Sequence, residues 1–137
     1  MASTTTSIDI PVSADRVWQL IGGFGSLPDW LPYIPTSELS EGGRVRSLTN
    51  EQGEVIVERL EAFDNDARTY TYSILQAPFP VTGYRATITV HEVSDTQSRV
   101  EWSGTFTPVG TSDDEVIALF HGIYTDGLAA LKKTLVG

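Results

Sequence analysis

The sequence contains no cysteine, one methionine and two histidines. Without cysteine there is no disulfide scaffold and no thiolate metal site. His91 and His121 have too few further ligands near them for a metal centre, so neither metal nor cofactor is expected. Basic residues are also scarce: 9 Lys and Arg face 18 Asp and Glu, for a net charge of −9. Such a chain repels phosphate, which argues against nucleic acid as a partner and against an anionic membrane surface. No apolar run approaches the ~20 residues of a membrane span. The first ten residues lack the basic and apolar regions of a signal peptide, so the expected location is cytoplasmic.

What is present fits an ordinary globular chain. Hydrophobic residues make up 40 % and charged residues 20 % of the 137 positions, enough for one domain over 1–137 with a real core. Thr4–Ile10 reads as a strand. Ser13 is a good N-cap for a helix over Ala14–Ile21, which Gly22-Gly23 ends. Pro28 and Pro32 keep any helix in Phe24–Tyr33 short. From residue 36 the pattern changes to period two, predicting strands Thr36–Glu41, Arg44–Thr49, Glu54–Phe63, Thr69–Gln76, Gly83–Val93 and Arg99–Thr107. The short, turn-like separators predict antiparallel hairpins. Ser112 and Glu115 are spaced as a capping box. Val116–Val136 then carries a stripe of Val116, Leu119, Phe120, Ile123, Gly127 and Leu131, with Lys132 and Lys133 near its C-terminus. The predicted class is α+β. A seven-stranded antiparallel sheet curves around a long C-terminal helix, with two short helices after the first strand.

Strand alternation selects the buried face. Turns centred on Gln52, Asn65, Phe79 and Asp95 place Arg46, Glu58, Tyr72, Ala86 and Gly104 in one row, and Leu48, Ile56, Ile74, Tyr84 and Phe106 in the next. The first row shrinks to alanine and glycine, and the helix repeats the feature at Gly127. Small residues there either leave a cavity or allow close helix–sheet packing. Arg46 and Glu58 are expected as cross-strand neighbours on the inner face, where charge is costly unless paired or wet. They serve either as a polar anchor in an apolar pocket or as a structural ion pair, unless a slip of register puts both in solvent. Trp18, Trp30 and Trp102 are expected as core or pocket wall.

The run Glu58-Arg59-Leu60-Glu61, Tyr72-Ser73-Ile74, Gly83-Tyr84-Arg85-Ala86 and Glu101-Trp102 with Phe106 and Pro108 resembles the polyketide cyclase/dehydrase branch of the START-like (SRPBCC) superfamily. Trp30-Leu31-Pro32, Gly42–Arg46 and Gly127-Leu128-Leu131 fit the same pattern. The resemblance implies a helix-grip fold with an internal cavity. The segment Glu58–Glu92 is also similar to the plant abscisic acid receptors. That similarity implies that Glu58, Tyr72, Ile74, Tyr84, Ala86, Ile123 and Gly127 line a pocket. Two departures matter. Leu31 stands where the receptors have a carboxylate-binding lysine. The loop Asn50–Gly53 and the tripeptide Phe79-Pro80-Val81 lack the receptors' gate and latch residues, so a hormone-gated phosphatase switch is not supported.

The candidate ligand-binding set is therefore Arg46, Leu48, Glu58, Tyr72, Ile74, Phe79, Tyr84, Ala86, Trp102, Phe120, Ile123 and Gly127. Glu58 is also the one candidate acid or base, with Arg46 able to stabilise an enolate and Tyr72 and Tyr84 able to donate protons. Three functions follow. Binding of a small, largely apolar molecule is preferred. A cyclase or dehydratase of a polyketide-like substrate is the second. A protein-interaction module with a vestigial cavity is the third. Phe79 is an exposed apolar tip between two prolines, and the sequence leaves a homodimer through the mouth loops open.

Overall fold

The computed structural model describes residues 1–136. Seven strands form one antiparallel sheet in the order β1-β7-β6-β5-β4-β3-β2. They are β1 (Ala2–Ile10), β2 (Thr36–Ser40), β3 (Val45–Thr49), β4 (Val55–Asp64), β5 (Thr69–Gln76), β6 (Val81–Ser94) and β7 (Gln97–Pro108). Helix α1 spans Ala14–Ile21, a 3₁₀ turn follows at Leu27–Asp29, and α2 spans Asp113–Val136. The fold class is that expected from the sequence. Strands β2 to β7 run as a meander. The N-terminal strand crosses to pair with β7, from Ala2↔Phe106 to Ile10↔Ser98.

Local chemistry explains the elements. Ser13 is extended and its side chain accepts the Arg16 amide at 3.3 Å, capping α1. The hairpin tip of β4–β5 is pinned to α1 twice. Trp18 donates its indole N–H to Asn65 at 2.7 Å, and Arg68 pairs with Asp15 at 2.6 Å. Helix α2 packs over β1 and β7 and buries Val116, Phe120, Tyr124, Leu128 and Leu131. Its acidic first turn, Asp113 to Glu115, and Lys133 in its last turn both complement the helix dipole.

Three expectations need correction. The β4–β5 hairpin is not centred on Asn65. Asp64 accepts the amides of Asp66 and Ala67 at 3.0 and 3.1 Å, and Arg68 takes φ +53°, so a four-residue loop spans 65–68. Glu58 therefore faces Ile74, and Tyr72 faces Leu60. Glu61 on β4 and Leu75 on β5 are extra residues at bulges in the same ladder. Second, the helix stripe is rotated. Leu119 is 37 % exposed, while Tyr124 and Leu128, absent from the expected stripe, are buried. Third, the small residues do not create empty space. A Cβ on Gly104 would collide with the Tyr124 hydroxyl. One on Gly127 would lie 2.8 Å from Trp102 and 2.9 Å from the Tyr33 hydroxyl. Both glycines admit aromatic rings into tight sheet–helix packing.

Candidate functional site

A cavity of about 200 Å³ nevertheless lies between sheet and helix, beside those glycines rather than over them. Helix α2 covers β1 and β7 and leaves the concave face of β3, β4 and β5 to the segment after α1. Leu27, Leu31, Tyr33 and Ile34 come from that segment and form one wall. Leu48 from β3, Ile56 from β4 and Ile74 from β5 form the sheet floor. Phe120, Ile123 and Tyr124 are the helix wall. Tyr84 enters from β6 on the inward face it shares with Ala86 and Ile88. The β6–β7 ladder shifts at Gly83, which takes φ +63°, and beyond it Thr82 is turned outward.

The aromatic wall is a connected stack. Trp102 lies nearly parallel to Tyr124 with centroids 4.6 Å apart, and Phe120 contacts Tyr84 at 4.9 Å and Phe106 at 4.7 Å. Polar tips are joined within it. The Trp102 indole N–H donates to the Tyr72 hydroxyl at 3.1 Å, and the Tyr84 and Tyr124 hydroxyls are bonded to each other. Burial pushes the hydroxyls of Tyr72, Tyr84 and Tyr124 well above their ordinary range, so all stay protonated. The Tyr33 hydroxyl donates to the carbonyl of Ile123 at 2.9 Å and ties the wall segment to α2.

Among the described lining residues the one charged pair is Arg46 with Glu58, directly opposed across β3 and β4. Arg46 Nε donates to Glu58 Oε1 at 2.8 Å, and Nη2 lies 2.7 Å from the same oxygen. Nη1 donates to the Phe24 carbonyl at 3.0 Å and to the Tyr70 hydroxyl at 3.4 Å. The guanidinium also lies over the rings of Phe24 and Tyr72, at 4.1 and 4.8 Å. Burial pushes the Glu58 carboxyl above its ordinary value, and Arg46 opposes that shift without cancelling it. Burial works against the Arg46 charge too, but Glu58 and the tyrosines outweigh it and keep the guanidinium protonated.

The mouth is framed by two loops. Asn50 accepts the amides of Gln52 and Glu54 at 3.0 and 2.9 Å, which fixes the β3–β4 turn with Gln52 at the opening. Phe79 stands on the other side, edge-on to Phe120 with centroids 5.3 Å apart. It is partly buried against the core rather than a free tip.

Of the residues expected from sequence, Arg46, Leu48, Glu58, Tyr72, Ile74, Phe79, Tyr84, Trp102, Phe120 and Ile123 are brought together around this space. Ala86 and Gly127 are buried in the packed region beside it and do not line it. Tyr33 and Tyr124 were not expected. Tyr124 lies four residues after Phe120, a spacing that places both on one helix face. His91 and His121 lie outside, against Glu101 and Thr4 respectively.

A curved sheet gripping a long helix around a lined cavity defines the START-like (SRPBCC) class. The chain belongs to the family described as polyketide cyclase / dehydrase and lipid transport, which matches residues 1–136. It is similar to the solved structure of the protein XoxI from Bacillus cereus. The two are 63 % identical with a TM-score of 0.97, over 99 % of this chain and 96 % of that one. An uncharacterized protein from Bacillus thuringiensis is 62 % identical with a TM-score of 0.98, over 99 % and 100 % of the two chains. A START superfamily protein from Mycobacterium smegmatis shares the fold at 17 % identity and a TM-score of 0.77, over 97 % and 96 %. No curated protein matches the chain. Among the described residues, no helix is long and apolar enough to cross a membrane.

Proposed function

We propose that the protein binds a small, largely apolar molecule of aromatic, polyketide-like or lipid-like character inside this cavity. The observation that carries the reading is the lining itself: mostly apolar and aromatic walls, with the Arg46–Glu58 pair, a few tyrosine hydroxyls and the side chains of Asn50 and Gln52 as its polar groups. An apolar cavity of ~150 Å³ is known to accept benzene, so about 200 Å³ suits a substituted single ring or a short chain. Membership of a cyclase, dehydrase and lipid-transport family supports the same reading. Isothermal titration with a panel of one-ring aromatics tests it. Saturable binding is expected for the native chain, and its loss for Ile123→Trp, which fills the cavity from the helix wall. Binding that survives this substitution in a folded variant places the ligand elsewhere.

A second reading is cyclisation or dehydration with Glu58 as acid or base. The upward shift of its buried carboxyl favours this. The ion pair with Arg46 weakens it, because the neighbouring guanidinium works against that upward shift. Glu58→Gln that abolishes turnover of an identified substrate while leaving its affinity unchanged would establish the enzymatic role.

A further inference from the structure

Arg46 and Glu58 are not equivalent as seen from the cavity. The Arg46 side chain is 1 % exposed, and its Nε and both terminal nitrogens already face Glu58, the Phe24 carbonyl or Tyr70. The rings of Phe24 and Tyr72 lie against it. A ligand carboxylate reaching the guanidinium would have to displace Glu58, which already holds it on two nitrogens. The Glu58 side chain is 9 % exposed and presents a different situation. Its Oε1 is the atom engaged by Arg46, whereas Oε2 takes no hydrogen bond from the described residues. Nor is Oε2 sealed in like the unpartnered side-chain atoms of Ser26, Trp30, Ser37 and Ser98. Glu58 lines the cavity, and Oε2 is its one carboxylate oxygen that Arg46 does not engage. Among the described lining residues no other acid and no other cation is present.

We propose that Glu58 Oε2 is the recognition atom of the cavity, so that the site takes single-ring molecules bearing a hydroxyl or N–H donor and rejects carboxylates. Arg46 is a positioning residue that holds Glu58 in place and does not meet the ligand. The inference rests on the cavity being a binding site, and it sets which polar group the ligand carries. A buried acceptor without a donor loses its hydration and gains nothing in return, so a ligand that supplies the donor is preferred over its hydrocarbon analogue. A carboxylate would instead place like charge against Oε2 in a low-dielectric space.

The test uses three probes of one shape at pH 7: 4-ethylphenol, ethylbenzene and 4-ethylbenzoate. The phenol is expected to bind the unsubstituted protein roughly ten- to a hundredfold more tightly than ethylbenzene, the range for a hydrogen bond to a charged acceptor. The benzoate is expected to bind at least about tenfold more weakly than ethylbenzene. In Arg46→Met/Glu58→Leu, which removes the pair together, the phenol and ethylbenzene should come within about threefold of each other. Benzoate binding as tightly as the phenol, or phenol and ethylbenzene binding alike in the unsubstituted protein, overturns the donor rule and leaves the cavity reading standing. No binding of any probe overturns both. The ranking on the unsubstituted protein decides the matter even where the double variant fails to fold.

Discussion

The Arg46–Glu58 pair dominates at the scale of single residues. Two charges have been taken out of water, and their attraction offsets that penalty only while both are present. Arg46→Met alone leaves a buried carboxylate and is expected to destabilise the fold by roughly 3–5 kcal/mol. Arg46→Met/Glu58→Leu is expected within about 1 kcal/mol of the parent, or above it, because apolar replacement of a whole pair is often neutral. Urea unfolding of both variants checks this, and equal destabilisation would contradict it. The pair also predicts a pH dependence. The folded chain holds the Glu58 carboxyl above its ordinary value of 4.5, so it binds that proton more tightly than the unfolded chain does. The resulting stabilisation is fully present below 4.5 and is lost as pH rises through the folded value. The urea midpoint of the parent relative to the double variant should therefore fall as pH rises above 4.5. Asp9 works in the opposite direction: its hydrogen bond to Arg99 lowers its carboxyl, so its contribution is lost as pH falls.

At the scale of elements, helix α2 carries two glycines with opposite surroundings. Gly127 is wedged among Trp102, Tyr33 and Leu31, and nothing lies within 4 Å of a Cβ built on Gly122. Gly122→Ala should gain up to about 1 kcal/mol from helix propensity alone. Gly127→Ala receives the same propensity but forces rings apart, and a net loss of about 1–3 kcal/mol is expected. Thermal melts of the two variants should shift in opposite directions, and parallel shifts would show that the wedge around Gly127 is soft. The same wedge explains where the cavity lies. Tyr124 fills the space over Gly104, and Trp102 and Tyr33 that over Gly127, so the opening is displaced toward β3, β4 and the segment after α1.

For the whole molecule, the decisive contact is the pairing of β1 with β7. It joins Ala2 to Phe106 and gives β7 its second neighbour. Strand β1 also lies against α2, with Thr4 bonded to His121 and Thr6 to Thr125. Removal of residues 1–10 exposes an edge of the sheet and one side of the helix together. Such a chain should lose its cooperative thermal transition, as read by far-ultraviolet circular dichroism. Pairing between chain segments this distant also predicts folding on the millisecond-to-second scale, typical of non-local β topologies, measurable by stopped-flow refolding.

Strand periodicity, turn residues and caps are local properties, and they suffice for the order of elements, the antiparallel sheet and the pairing of Arg46 with Glu58 across a short turn. The row beyond Glu58 was not legible, because the Asp64 turn and the bulges at Glu61 and Leu75 change the register without changing the alternation on either side. Nor could Gly104 and Gly127 reveal whether they border a void or a ring. A missing side chain only creates room, and what fills it comes from Tyr124 and Trp102, distant in sequence and brought close by the helix crossing the sheet. Composition thus determined that a lined interior with one charged pair could exist. Tertiary packing decided where its open volume lies and which carboxylate oxygen Arg46 engages, since both depend on distances between segments that no local pattern encodes.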